Sequence, residues 1–307
     1  MRCNLCGSER NKMFVERIYS FKNKNYNLVK CLKCGFVFVE PMPSANERRE
    51  MYSEKYFEDN KVSGFREKGY KDDEEFYADR YKLILNNLRK IKPSGKILEI
   101  GSAGGYFLNM ARDAGYEVQG VEISKWAVDF SRKKFGLKVF NGELENAKFL
   151  DGNFNIVVAG NVLEHVENPM KFISEASRVL QKNGVFVVEV PYFINSPYFP
   201  FARFLFGKLI HVNPENKEFL EFMKINKYGA ISLPYHLYEF SLSSIRDYLK
   251  KNGFKIIKID STFTEPSLKY SSAVNLFVSA VYKSVNLLMK VFGIKFCNIT
   301  FYAKKMK

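Results

Sequence analysis

The apolar positions of this chain change period several times, and each change predicts an element. Ile97-Leu98-Glu99-Ile100 is a short apolar run bounded by polar residues, the pattern of a buried strand. It breaks into the small residues Gly101-Ser102-Ala103-Gly104-Gly105. Phe107, Leu108, Met110 and Ala111 then recur with Asn109, Arg112 and Asp113 between them, an amphipathic helix that Gly115 stops. Glu117–Glu122 reads as the next strand, and Ser124 caps a helix over Lys125–Phe135. Further strands are predicted over Leu137–Phe140, Phe154–Ala159, Gly184–Val190, Phe254–Ile259 and Cys297–Tyr302. Asn168-Pro169 opens a helix that runs through Leu180, with cap and proline in the expected order. Ser241–Lys251 is a helix stopped by Gly253. Upstream, Phe76, Tyr81, Ile84, Leu85 and Leu88 fall on one side of a helix over Glu74–Lys90, placed to precede the first of these strands and to cover a ligand bound at its end. A shorter helix is predicted over Asn46–Glu54. Strands that alternate with helices predict a parallel sheet with helices on both faces.

The first 40 residues follow a different pattern. Cys3-Asn-Leu-Cys6-Gly7 and Cys31-Leu-Lys-Cys34-Gly35 are two Cys-x-x-Cys turns, each closed by a glycine. Met13-Phe14-Val15 and Asn27-Leu28-Val29 can pair as strands between them. Cys3, Cys6, Cys31 and Cys34 supply four soft ligands, which predicts a structural zinc site with no coordination position left open. The fifth cysteine, Cys297, lies in an apolar run and reads as a packed thiol. Cysteine usage and the absence of an apolar leader behind Met1-Arg2-Cys3 predict a reducing, cytoplasmic setting. Pro41-Met42-Pro43 is a linker. The chain therefore divides into a zinc ribbon (1–42), a helical linker and cap helix (43–92) and an α/β domain (93–307). A net charge of +15 over 307 residues leaves RNA, an anionic membrane face and phosphate-bearing substrates open as partners.

The strand, glycine turn and helix at 96–114 can bring a ligand close to the backbone and to free N–H groups at the helix start. Glu122 ends the following strand 21 positions after Gly101, where a carboxylate can hold both hydroxyls of a ribose. A dinucleotide fingerprint would need G-x-G-x-x-G, but Ala103 and Tyr106 occupy its second and third glycines. Glu99-Ile-Gly101-Ser-Ala-Gly104-Gly105 instead resembles motif I of the class I S-adenosylmethionine-dependent methyltransferases, with Ala103 at the middle glycine. Gly160-Asn161-Val162-Leu163-Glu164-His165-Val166-Glu167-Asn168-Pro169 is similar to a later stretch of the small-molecule members, as is Pro234-Tyr-His236-Leu-Tyr-Glu-Phe240-Ser241. The paired Cys-x-x-Cys-Gly motifs, Pro-x-Pro and Tyr56-Phe57 resemble a zinc-ribbon subgroup associated with surface-polysaccharide and sugar biosynthesis. The resemblance implies a Rossmann-like seven-stranded methyltransferase sheet. It implies that Glu99, Gly101, Ala103, Gly105, Glu122, Ile123, Glu143, Leu144 and Asn161 bind S-adenosylmethionine. Asn155 departs from the family, where aspartate is usual, and this change is read as structural.

Methyl transfer to an alcohol or an acidic C–H needs a base. His165 and His236 are the candidates, with Glu164 orienting one of them or holding a cation; His211, in a polar loop, is a weaker one. Each histidine also has a plain structural reading. Tyr70 and Arg80 can reach a ligand carboxylate or pack. The aromatic insertion 192–235, with Tyr192, Phe193, Tyr198, Phe199, Phe201, Phe204 and Phe206, is the expected lid and acceptor pocket, or a small cap with its own core. The amphipathic segment 272–292 carries two lysines, which argue against a membrane span. It fits a helix packed on protein, or one lying peripherally on the inner membrane face.

The expected acceptor is a small molecule or glycan: a sugar, a sugar nucleotide or a lipid-linked saccharide. The alternatives are an RNA methyltransferase that uses the ribbon for RNA binding, and a noncatalytic cofactor-binding scaffold. RNA is less favoured because Gly160-Asn161-Val162-Leu163 is not the N/D-P-P-Y/F that serves exocyclic amino groups. DNA is not expected as a partner.

Overall fold

A computed structural model describes residues 2–51, 73–192, 194–195, 199–204, 224–225, 233–262 and 298–306. The predicted helix 272–292, Tyr56-Phe57, Tyr70, Phe193, Tyr198, Phe206, His211 and Cys297 lie outside the described residues.

In chain order the strands are β1 (Asn11–Phe21), β2 (Lys24–Cys31), β3 (Val37–Glu40), β4 (Lys96–Ile100), β5 (Glu117–Glu122), β6 (Val139–Asn141), β7 (Phe154–Gly160), β8 (Leu180–Pro191), β9 (Tyr238–Glu239), β10 (Phe254–Thr262) and β11 (Asn298–Lys305). The helices are α1 (Ala45–Met51), α2 (Asp73–Ile91), α3 (Tyr106–Asp113), α4 (Lys125–Phe135), α5 (Pro169–Val179), α6 (Phe199–Phe204) and α7 (Leu242–Lys251). The chain forms two units. One comprises Met1–Arg48, Pro191–Ile245 and Asp260–Ile299, the other Arg49–Val190, Arg246–Ile259 and Thr300–Lys307.

The second unit is built on a seven-stranded mixed sheet of order β10-β11-β8-β7-β4-β5-β6, and the fold is α/β and Rossmann-like. β4 pairs in parallel with β5 and β7, β5 with β6, and β7 with β8. The predicted caps are present. Ser124 Oγ accepts from Ala127 N at the start of α4, and Asn168 Oδ1 accepts from Lys171 N at the start of α5. Asn155, the family departure, sits at the opposite end of the sheet from the cofactor turn. Its Oδ1 accepts from Lys96 N at 2.8 Å, and its Nδ2 donates to Gln181 Oε1 at 2.7 Å. It ties β4 and β7 to the start of β8.

Strand alternation explains how α2 is seated. Ile97, Ile156, Val158, Val185 and Val187 form one apolar layer, and Ile84, Leu85 and Leu88 of α2 pack on it together with Tyr302. Burying each such aliphatic side chain is worth about 1.5–3 kcal/mol, so this layer fixes α2 on the sheet. On the same face, two positions further toward the carboxyl ends, stand Glu99, Gly160 and Glu189.

The first unit is a four-stranded sheet of order β1-β2-β3-β9. The predicted pairing is present: Met13 lies opposite Val29 and Val15 opposite Leu28, with register shifts on both sides of Val15. The fourth strand comes from far along the chain, since Val37 pairs with Glu239 and Phe38 with Tyr238. Ile194, Phe199 and Ile225 from the insertion join Val15, Ile18, Tyr19, Tyr26 and Leu28 in one core. Of the aromatic residues predicted to line an acceptor pocket, Phe199 is therefore core of this unit, while Phe204 is half exposed at 52%.

Candidate active site

In the second unit the chain turns sharply where β4 ends. Gly101, Ala103 and Gly105 all have positive φ, at 70°, 45° and 80°. A Cβ on Gly101 would stand 2.5 Å from Val162 Cγ2, and one on Gly105 would stand 2.6 Å from Leu137 Cδ1. Both glycines are required for conformation and for space. Ala103 departs from the motif at a left-handed position, which costs an L-residue about 1–2 kcal/mol. Tertiary contacts hold it there, and its N–H donates to Glu122 Oε2 at 2.9 Å.

Glu122 ends β5 and is buried. Its Oε1 accepts from Ser124 N at 2.8 Å, so its carboxylate fastens the turn after β4 to the start of α4. Burial pushes this carboxyl above its ordinary range, against the N–H groups of Ser124, Ala103 and Ile123, which pull it down. Next to it Ile123 is 54% exposed, a large apolar side chain in the open beside a buried acid. After β6, Gly142 N donates to Glu122 O, Glu143 is exposed, and Leu144 opens a short 3-10 helix as a buried residue.

Glu99 is 7% exposed, and its Oε2 has no hydrogen-bond partner among the described residues. Burial drives its carboxyl well above the ordinary range; Arg80 pulls it back and Glu122 pushes it further up. Asn161, just past β7, has φ 54° and a buried Oδ1 that also lacks a described partner. Its N–H donates to Glu189 O at 2.9 Å. Buried polar atoms are ordinarily satisfied, so these two are candidates to meet a ligand. Unmet acceptors, a glycine cradle, a buried acid at the end of β5 and an exposed apolar platform fit S-adenosylmethionine, which carries an ammonium, a ribose and a flat base.

The turn after β7 carries the first histidine candidate. Glu164 is wholly buried. His165 is 19% exposed, its Nε2 lies 3.7 Å from Glu164 Oε1, and its N–H donates to Val162 O. His236 belongs to the first unit, half-buried two residues before β9.

Partly buried Arg80 and the buried Glu189 and Thr300 were not read from sequence as a set. Arg80 Nε lies 2.7 Å from Glu189 Oε1, and Thr300 Oγ1 donates to Glu189 Oε2 at 2.7 Å. The available signal was an acid inside the apolar run Val185–Val190, together with a cation one turn before Ile84 on the apolar side of α2.

In the first unit the two cysteine turns have matching backbones. Gly7 N donates to Cys3 O and Gly35 N to Cys31 O, and both glycines have positive φ. Cys3 Sγ lies 3.5 Å from Cys34 Sγ, and Cys6 Sγ lies 3.6 Å from Cys31 Sγ. All four sulfurs fall within 4.8 Å of one another, and the thiols are free. Tetrahedral Zn–S bonds of about 2.3 Å would set S···S near 3.8 Å, so the cluster can hold such an ion. Burial raises the Cys3 and Cys34 thiols. At Cys31 burial is outweighed by the N–H groups of Cys34 and Lys33 and by the Cys34 and Cys6 thiols, which leave it at about 7.

No helix among the described residues is long and apolar enough to cross a membrane. A methyltransferase-domain family model matches residues 65–259. An uncharacterized protein of Methanocaldococcus jannaschii is 31% identical over 182 residues, covering 59% of this chain and 75% of that protein. A Mycolicibacterium smegmatis protein assigned as an S-adenosylmethionine-dependent methyltransferase is 27% identical over 39% of this chain and 47% of its own. The mitochondrial ubiquinone biosynthesis O-methyltransferase of Schizosaccharomyces pombe is 33% identical over 30% of this chain and 36% of its own. This chain thus spans about half or less of the length of the latter two relatives. A crystal structure from Listeria monocytogenes, assigned to the S-adenosylmethionine-dependent methyltransferases, shares the fold at TM-score 0.50 and 14% identity. It covers 75% of this chain and 100% of that one. With the motif I turn, the sheet order and the family match in agreement, this chain belongs to the class I S-adenosylmethionine-dependent methyltransferases.

Proposed function

We propose that this protein methylates a small-molecule or glycan acceptor, namely a sugar, a sugar nucleotide or a lipid-linked saccharide, with a histidine taking the acceptor's proton. The observation that carries the reading is the turn after β7, where a buried Glu164 stands beside a partly exposed His165 at the carboxyl end of the sheet. Ligands bind at that end in open α/β folds. Glu99, Glu122 and Asn161 would hold the cofactor through its ammonium, its ribose and its adjoining polar groups, and Ile123 would carry the base.

When bound, S-adenosylmethionine supplies a methyl group already activated by its sulfonium. The residues of the chain therefore chiefly position and exclude water. The rigid turn 101–105 fixes the cofactor's direction, and His165 accepts the proton from the acceptor at Nε2 or Nδ1. Glu164 stabilises the imidazolium that results. His236 is the second candidate for this proton. The Schizosaccharomyces pombe relative is named as an O-methyltransferase of ubiquinone biosynthesis, which favours oxygen as the acceptor atom and leaves the sugar to the test below. Cys3, Cys6, Cys31 and Cys34 would hold a structural Zn2+.

The test is transfer of labelled methyl from S-adenosylmethionine into host extract, with RNA, lipid and glycan fractions counted separately. Label is expected in glycan, sugar-nucleotide or lipid material and should fall at least a hundredfold in His165→Ala or His236→Ala, the usual scale of a general base. Label confined to nuclease-sensitive material would make the ribbon an RNA module. Unchanged rates in both variants would remove the histidine assignment.

A further inference from the structure

The apolar layer beneath α2 does not end where the sheet ends; it becomes charged. Ile97, Val158 and Val187 are each followed two positions later, on the same face, by Glu99, Gly160 and Glu189. Tyr302 of the same layer is preceded two positions earlier by Thr300. Arg80 lies one turn before Ile84, so α2 directs it onto this charged row. β7 lies between β4 and β8 in the sheet, and Gly160 pairs with Glu189. A Cβ at Gly160 would collide with Arg80 Nη2, so the guanidinium lies on the bare backbone there. The guanidinium thus meets Glu189 on one side and acts on Glu99 on the other. Thr300 holds the far oxygen of Glu189.

We infer that Arg80, clamped by Glu189 and Thr300 across the end of β7, is a positioning residue that fixes Glu99 as an anionic partner for the cofactor's ammonium. This rests on the reading that Glu99 faces the cofactor. Among the described residues the charged groups acting on Glu99 are Arg80 from α2 and Glu122 from β5, with Glu189 of β8 behind Arg80. Arg80 favours the carboxylate and Glu122 opposes it. Without Arg80, Glu99 takes up a proton at higher pH and no longer attracts an ammonium. Glycine at 160 is then a requirement of the clamp and not of the strand, since its φ lies outside the left-handed range.

The experiment measures binding of S-adenosylhomocysteine, which has the same amino-acid end, by titration calorimetry at pH 6.0, 7.5 and 8.5. Apo unfolding is followed in parallel to confirm folding. Arg80→Gln is expected to raise the acid limb by about one pH unit, so that affinity at pH 6.0 falls about tenfold more than at pH 8.5. Arg80→Lys should restore most of the profile. Gly160→Ala displaces the guanidinium while keeping every charge, and should move the limb in the same direction by less; it carries the test if Arg80→Gln does not fold. An even loss across pH in both variants, or wild-type binding in both, overturns the inference. Wild-type binding by Glu189→Gln at all three pH values overturns the clamp. Glu99→Gln separates the underlying reading: if it binds as wild type, Glu99 does not face the cofactor and both fall. If it is impaired while the Arg80 and Gly160 profiles stay flat, only the present inference falls.

Discussion

Two buried carboxylates, Glu239 of the first unit and Glu99 of the second, are met in opposite ways. In the first unit Glu239 is 4% exposed and stands 3.1 Å from Lys224 Nζ, itself 4% exposed. Lys224 also donates to Tyr19 OH at 2.7 Å and lies over that ring. In the second unit Glu99 is almost as deeply buried, yet one of its oxygens has no described partner, and its neighbour Glu122 repels it. A buried charge costs several kcal/mol unless it is paired. The first unit meets that cost within its own structure. The second meets it at Glu189 but leaves it partly unmet at Glu99, the pattern a cofactor-binding role for Glu99 would require.

Four substitutions can break or sharpen this contrast. The largest effect is expected from Cys31→Ser. Metal analysis should find stoichiometric zinc in the wild type and little in the variant, with a loss of several kcal/mol, since binding energy at such a site is folding energy. A metal-free wild type would sink the zinc assignment. Lys224→Ala should follow, at about 3–5 kcal/mol in denaturant unfolding, because it strands Glu239 in the core. A loss under about 1 kcal/mol would mean that the pair is a surface-like contact.

Glu99→Gln should run the other way. It is expected to stabilise the apo protein at neutral pH by about 0.5–2 kcal/mol while cofactor affinity drops at least tenfold. The sign follows from linkage. The carboxyls of Glu99 and Glu122 are raised in the fold, so their contribution is present below their ordinary value of 4.5. It is lost as pH rises through the raised value. Apo stability should therefore fall from mildly acidic toward neutral pH, and less steeply in Glu99→Gln. The smallest effect is at Ala103. Relief of its left-handed strain exceeds the entropic cost of glycine only slightly, so Ala103→Gly should gain about 0.5 kcal/mol.

The periodic part of the fold was legible in the sequence. The β4 turn, α3, the caps at Ser124 and Asn168, and the paired cysteine turns each depend on neighbours close in the chain. β9 was not legible, because a two-residue strand has no period. Residues 234–241 instead read as a motif with a histidine. Nor was Lys224 marked by its surroundings, since its partners Tyr19 and Glu239 are remote in sequence. Arg80 was singled out, but its partner was not. Glu189 lies 109 positions away, and only the packing of α2 on the sheet makes the two a pair. Asn155 shows the reverse case: a single departure from a motif was read as structural, and its side chain bonds Lys96 N and Gln181 near the start of the strand.

The pairing of β3 with β9 has a consequence for anyone who would move these parts between proteins. Cysteine ribbons invite treatment as cassettes that can be cut at a linker and grafted elsewhere. Here the cut at Pro41 would strip Tyr238 of its ladder partner and of the Phe36 ring stacked 5.5 Å from it. It would also remove Asn4, which bonds the Tyr238 hydroxyl. The transferable piece is discontinuous: it must carry the segment around residues 233–240 along with the amino-terminal forty.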